Sequence, residues 1–255
     1  MESAVEAVCT EITRRDLGGV AGVYLYGSAA AGGLRPDSDV DLLVLTRRSL
    51  TDVERTALVA VLLRVSGWRG HATAFPDATG RRPLESTVLT LDQVRPVPPA
   101  PRVDFQFGEW LRADLVRGAL PRPVADPDAV VLLATALAAH RVLAGPALAD
   151  LVAPIPPQTL RRALIAVVPG IVAEMSGDER NAVLTLARIL VTLASGRIVA
   201  KDEAAATVAR TLPPPDRALL ESARACYLTG VDVDWDAARA RNLAHALAAR
   251  VPYSS

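Results

Sequence analysis

Two short motifs ten residues apart leave this chain few ways to fold: Leu25-Tyr26-Gly27-Ser28 closes one apolar run, and Asp39-Val40-Asp41-Leu42 opens the next. Residues 20–26 and 40–45 both read as strands. Side chains alternate faces along a strand, so Asp39 and Asp41 point the same way with about 6.5–7 Å between their Cα atoms. Two carboxylates converging at that spacing suit a pair of Mg²⁺ ions, which two-metal phosphoryl-transfer sites hold roughly 3.5–4 Å apart. A glycine at the end of the first strand lets backbone approach a ligand closely. Ser28 then offers an N–H and a hydroxyl to a phosphate. Neither motif means much alone; together they read as a metal–nucleotide site.

Charge balance narrows the partners. The 28 basic and 28 acidic residues cancel, which speaks against a dedicated nucleic-acid binder. The longest apolar run, residues 129–139, is too short to span a bilayer and fits a buried helix. No leader peptide is legible at the N-terminus, and Cys9 and Cys226 lack zinc-ligand spacing. A cytoplasmic monomer with two unpaired thiols is expected. Every basic residue but Lys201 is arginine. Against so uniform a drift, a position that stays lysine suggests a need for a compact ammonium, which makes Lys201 a candidate phosphate ligand.

The order of elements follows from periodicity and punctuation. Residues 3–15 read as an amphipathic helix, with Val5, Val8, Cys9 and Ile12 on one face. Thr51 with Glu54 three residues on is a capping box that opens a helix over 51–65. Residues 67–82 read as a loop, 83–91 as a third strand, and 106–117 and 128–143 as helices. Pro154, Pro156 and Pro157 mark a boundary. Beyond it, residues 158–168, 178–194, 202–211, 215–228 and 235–250 all read as helices. The expected fold is α+β: a mixed-sheet domain over residues 1–153 and an all-helical domain over 154–255.

Glu85 lies in the alternating strand and by itself would be an outer-face acid. If that strand pairs with residues 40–45, Glu85 faces the same way as the two aspartates and can take a proton from an attacking hydroxyl. Phe105, Phe107 and Trp110 cluster in a chain with only 3 Trp, 4 Tyr and 3 Phe. The two phenylalanines read as core and Trp110 as a ring that can stack on a sugar or a guanidinium. Glu109, Asp114, Asp178 and Glu179 are acids placed to draw a polycationic acceptor.

Tyr26-Gly27-Ser28-Ala29, Gly32-Gly33-Leu34, Pro36 and Ser38-Asp39-Val40-Asp41-Leu42-Leu43-Val44 resemble the aminoglycoside adenylyltransferases that modify streptomycin and spectinomycin. Phe105-Gln106-Phe107-Gly108-Glu109-Trp110 and Gly177-Asp178-Glu179-Arg180-Asn181-Ala182-Val183-Leu184-Thr185-Leu186 are similar to that family too, in the same order. The resemblance implies transfer of AMP from ATP to a drug hydroxyl, with two Mg²⁺ ions on Asp39 and Asp41. It implies Glu85 as catalytic base and acceptor contact. Ser28, Ser38, Asp128, Arg188, Lys201 and Tyr227 would touch the nucleotide, and Trp110 and Asp178 would line streptomycin from opposite domains. The helical domain would then close the ATP and drug site. Val168-Pro169-Gly170 departs from the family's tryptophan-bearing segment, and the loop ahead of Glu85 is longer than the family pattern. Two other readings keep the nucleotide site: a different small-molecule or protein acceptor, or a regulatory nucleotide-binding module without turnover.

Overall fold

β2 (Val40–Thr46) is buried along nearly all its length because it is paired on both sides, antiparallel to β1 (Val20–Tyr26) and parallel to β3 (Leu84–Thr90). A parallel pair needs a long crossover, and α2 (Asp52–Val65) lies in it. The computed structural model describes residues 2–30, 35–36, 38–231 and 236–253. The Gly32-Gly33-Leu34 motif and Trp235 lie outside the described residues. The chain forms two compact units, Met1–Leu34 with Ser38–Ile155, and Arg35–Asp37 with Pro156–Ser255.

In the first unit α1 (Glu2–Arg14) precedes β1, and β4 (Arg102–Phe107) follows β3. Then come α3 (Arg112–Val116), β5 (Val124–Ala125), α4 (Asp128–Ala138), β6 (His140–Ala144) and α5 (Leu148–Leu151). The sheet has 6 strands in the order β5-β4-β3-β2-β1-β6. One face carries Val23, Leu25, Leu42, Val44, Val88, Phe105 and Phe107, packed on Val8 and Ile12 of α1 and Leu58 and Leu62 of α2. Phe105 and Phe107 are therefore core, as their clustering suggests.

The capping box at α2 is present in full: the Thr51 side chain accepts from the Glu54 N–H, and the Glu54 carboxylate accepts from the Thr51 N–H. Such a cap contributes about 1 kcal/mol. Glu54 also accepts from the Gly18 N–H at 3.0 Å and from Arg48 at 2.8 Å. The Arg48 guanidinium holds its carboxyl far below the usual carboxylate range. One side chain thus ties the approach to β1 to the start of the crossover helix.

Two stretches differ from their sequence reading. Residues 106–107 complete β4 instead of starting a helix, and only Arg112–Val116 is α-helical in the segment to 117. Arg102–Phe107 alternates strictly between polar and apolar residues, so the strand signal is present in the sequence; Asp104, on the polar phase, is itself buried. It pairs with buried Arg55 at 2.9 Å and accepts from the Leu50 N–H at 3.0 Å. The helix read over 128–143 ends at Ala138, and His140–Ala144 forms edge strand β6 on β1. An alanine-rich run carries no local stop signal, and tertiary pairing with β1 decides the outcome.

The second unit is helical: α6 (Pro157–Glu174), α7 (Glu179–Ser195), α8 (Lys201–Ala209), α9 (Pro214–Thr229) and α10 (Ala237–Ala248). α7 packs against each of the other four and buries Val183, Leu184, Leu186, Ala187 and Ile189. α6 continues past Pro169, where a sequence reading would end it. Pro169 and Gly170 are exposed; the proline lacks the N–H that would donate to the carbonyl of Ile165. Arg35 pairs with Asp202 of this unit at 3.6 Å. Among the described residues no helix is long and apolar enough to cross a membrane.

Candidate active site

The polar end of the sheet is built by strand register. Asp41 lies opposite Tyr26 on β1 and opposite Glu85 on β3, and Tyr26 lies opposite His140 on β6. Directly opposed residues share a face of the sheet. His140, Tyr26, Asp41 and Glu85 therefore form one row across four strands, on the face turned away from α1 and α2. Asp41 and Glu85 are half-buried at the beginnings of parallel strands, and Asp39 stands two residues ahead of Asp41. The pairing that sequence reasoning required for Glu85 to face the aspartates is present.

Gly27 explains the Gly-Ser half of the motif. It follows β1 with φ +67, and a methyl group placed on it would lie 2.0 Å from Asp41 Oδ2. The carboxylate fills the space that any other side chain would claim, and the backbone angle disfavours any other residue there. Ser28 follows within the 3-10 turn Gly27–Ala29, half-buried. Ser38 is half-buried, and its carbonyl accepts from Arg82 Nη1 at 2.7 Å. Asp128 is exposed at the first turn of α4.

Trp110 is 59% exposed in the 3-10 turn Glu109–Leu111. Its neighbour Glu109 corrects an expectation. It is buried and accepts from Arg112 at 2.6 and 2.9 Å and from Ser66, with His71 Nε2 at 2.7 Å. Burial works against its charge, but hydrogen bonds from Arg112 and Ser66 outweigh that and hold its carboxyl below the ordinary range. Glu109 is an anchor for the turn and does not face an acceptor. Glu179 is corrected likewise: it is buried and paired with Arg241 at 2.9 Å. Burial opposes its charge, while backbone N–H groups and Arg241 hold the carboxyl low. Asp114 is exposed and paired with Arg117.

In the helical unit Asp178 is exposed just ahead of α7, Arg188 is half-buried on α7, Lys201 opens α8, and Tyr227 is half-buried on α9. Asn181 links two of the expected residues. Its Nδ2 donates to Asp178 Oδ2 at 3.0 Å, and its Oδ1 accepts from Lys201 Nζ at 2.5 Å. Asp178 and Asn181 also line a cavity of about 230 Å³ with Ile171, Glu174, Met175, Ala182 and Thr185. Sequence reasoning singled out Asp178 and Lys201 but passed over Asn181. Its one local signal was the i, i+3 spacing from Asp178. His140 was missed because its strand was read as helix.

The chain is similar to known proteins along most of its length. Residues 7–69 match the nucleotidyltransferase domain family, and residues 150–250 match the C-terminal domain of aminoglycoside adenylyltransferases. The chain is 36% identical to a spectinomycin 9-adenylyltransferase of Campylobacter jejuni, over 86% of this chain and 82% of that protein. It is 37% identical to an aminoglycoside (3'')(9) adenylyltransferase of Escherichia coli, over 87% of this chain and 82% of the relative. Its fold matches the crystal structure of a spectinomycin adenyltransferase from Enterococcus faecialis with ATP and spectinomycin. The TM-score is 0.91 at 26% identity, over 98% of this chain and 99% of the other. A nucleotidyltransferase sheet, a helical unit of the matching C-terminal type and full-length relatives make this chain an enzyme of the aminoglycoside adenylyltransferase family.

Proposed function

We propose that this enzyme transfers AMP from Mg-ATP to a hydroxyl of spectinomycin and of streptomycin, releasing pyrophosphate and inactivating the drug. The observation that carries the reading is the register that sets Glu85 beside Asp41 on one face, with Asp41 Oδ2 over Gly27. An acceptor hydroxyl that meets Glu85 loses its proton as its oxygen attacks the α-phosphorus, and the bond to the pyrophosphate oxygen breaks in line.

Asp39 and Asp41 suit Mg²⁺ by their chemistry. Among the described residues no three His, Cys, Asp or Glu side chains gather as a closed metal cage. Mg²⁺ favours one or two carboxylates completed by phosphate oxygens and water. When bound, the two ions would neutralise charge on the phosphates. Ser28, Ser38, Asp128, Arg188, Lys201 and Tyr227 are assigned to the nucleotide. The Asn181 bond fixes the Lys201 ammonium at the start of α8, which favours a phosphate contact over a freely solvated charge. The requirement for ATP, with Cys9 and Cys226 as free thiols, favours the cytoplasm.

Pyrophosphate release by the purified protein with Mg-ATP, across a panel of aminocyclitols, aminoglycosides and a lincosamide, tests the assignment. Turnover with spectinomycin and streptomycin is the expected result; turnover only with another acceptor rejects it.

Trp110 and Asp178 are assigned to streptomycin, which carries guanidinium groups, and not to the compact spectinomycin. Both are exposed, so a ligand can reach them. Replacing either with alanine is expected to lower kcat/KM for streptomycin ten- to a hundredfold, about 1.5–3 kcal/mol. Spectinomycin turnover should change little. Both drugs share the same ATP and base, so equal losses would move these residues to the fold or the nucleotide.

A further inference from the structure

We infer that Gly108 is a specificity-determining residue: it is the seat that sets the Trp110 ring in place for an extended, guanidinium-bearing acceptor. This rests on the stacking role of Trp110 proposed above. A methyl group on Gly108 would lie 2.1, 2.2 and 2.5 Å from Cζ3, Cη2 and Cε3 of Trp110, and these three ring atoms are its nearest neighbours. The six-membered ring of the indole thus covers the spot where a side chain would stand. Backbone geometry does not demand glycine here. Gly108 has φ −158 and ψ 164, ordinary extended values open to any residue. Outside the adjoining residues, the three nearest atoms that a side chain at 108 would meet all belong to the ring.

The backbone beneath the ring is fixed independently. Glu109, buried between Gly108 and Trp110, is held by Arg112 at 2.6 Å, by His71 at 2.7 Å and by Ser66. The Leu111 N–H donates to the Gly108 carbonyl at 3.0 Å and closes the turn. An exposed tryptophan on a surface loop ordinarily samples several rotamers, and ordering such a side chain on binding costs affinity. Here the Cα is anchored by the Glu109 network and the ring rests on bare backbone, so that cost is met before the drug arrives. The remaining surface of the indole stays open.

The test is a Gly108→Ala, Trp110→Ala and double-variant comparison in the full-length enzyme, read as the ratio of kcat/KM for streptomycin to that for spectinomycin. Gly108→Ala is expected to lower the ratio about tenfold, the scale of a stacking contact, and to add nothing once Trp110 is alanine. The melting temperature should not move. With Trp68 and Trp235 replaced by phenylalanine, the emission of Trp110 should shift on Gly108→Ala. A ratio that survives Gly108→Ala but falls with Trp110→Ala overturns the inference and leaves the stacking role standing. A ratio that survives Trp110→Ala removes the stacking role and the inference with it. Equal losses for both drugs with a lowered melting temperature would make Gly108 a structural residue and also overturn the inference.

Discussion

Asp41→Asn and Asp39→Asn are each expected to abolish AMP transfer while the protein stays folded. An amide has nearly the shape of the carboxylate but no charge, so what would be lost is the proposed hold on Mg²⁺ and the phosphates. The fold should tolerate both changes because its stability lies elsewhere. Leu42 and Val44, the neighbours of Asp41 along β2, are buried in the core against α1 and α2, whereas Asp41 is half-buried at the polar end. Removing one preorganised electrostatic element from a phosphoryl-transfer site costs on the order of 10²–10³-fold, and loss of a metal ligand should cost at least that. The measurement is pyrophosphate release with spectinomycin, accompanied by a thermal melt. Either variant keeping more than a few per cent of wild-type turnover would remove the two-carboxylate metal assignment. Loss of activity together with a collapsed melt would show that the carboxylate serves the fold, through its seat over Gly27.

The site's sheet was legible because its signals are local. A Gly-Ser turn, an Asp-x-Asp and two apolar alternations need no tertiary information to place β1, β2 and β3, and the capping box marked the start of α2 to the residue. The pairing of β2 with β3 was an inference from chemistry, and the register Asp41–Glu85 satisfies it. What escaped notice depends on partners distant in sequence. β4 alternates strictly from Arg102 to Phe107 and its signal is local; what the sequence does not announce there is that Asp104 is buried against Arg55, 49 residues away. β6 hides in an alanine-rich run because only β1 tells it to be a strand. Glu109 and Glu179 read as solvent-facing acids because nothing near them in sequence announces that Ser66, His71 and Arg241 fold onto them. Arg112 was close enough to hint at the first of these pairs, being i, i+3 from Glu109.

Glu85→Gln is expected to lower kcat about 10²–10⁴-fold, the usual contribution of a positioned base, with little change in the affinity for Mg-ATP. Glu85 stands beside Asp41, and the two carboxylates do not carry the same burden. Asp41 lies on β2 next to the Gly27–Ala29 turn, with Asp39 just ahead of that strand, which suits the phosphates; Glu85 lies one strand over, away from that turn. An acceptor oxygen arriving from the β3 side meets Glu85 first. The glutamine amide keeps the hydrogen-bonding shape of the pocket and can still contact the drug hydroxyl, but it cannot accept the proton as the P–O bond forms. The loss should therefore fall on kcat and be equal for spectinomycin and streptomycin, unlike the loss from Trp110 or Asp178. Isothermal calorimetry with a non-hydrolysable ATP analogue separates the alternatives. Normal nucleotide binding with slow chemistry supports the base. Weakened Mg-ATP binding with near-normal turnover at saturation would instead make Glu85 a third metal ligand, and the proton would have to leave by another route.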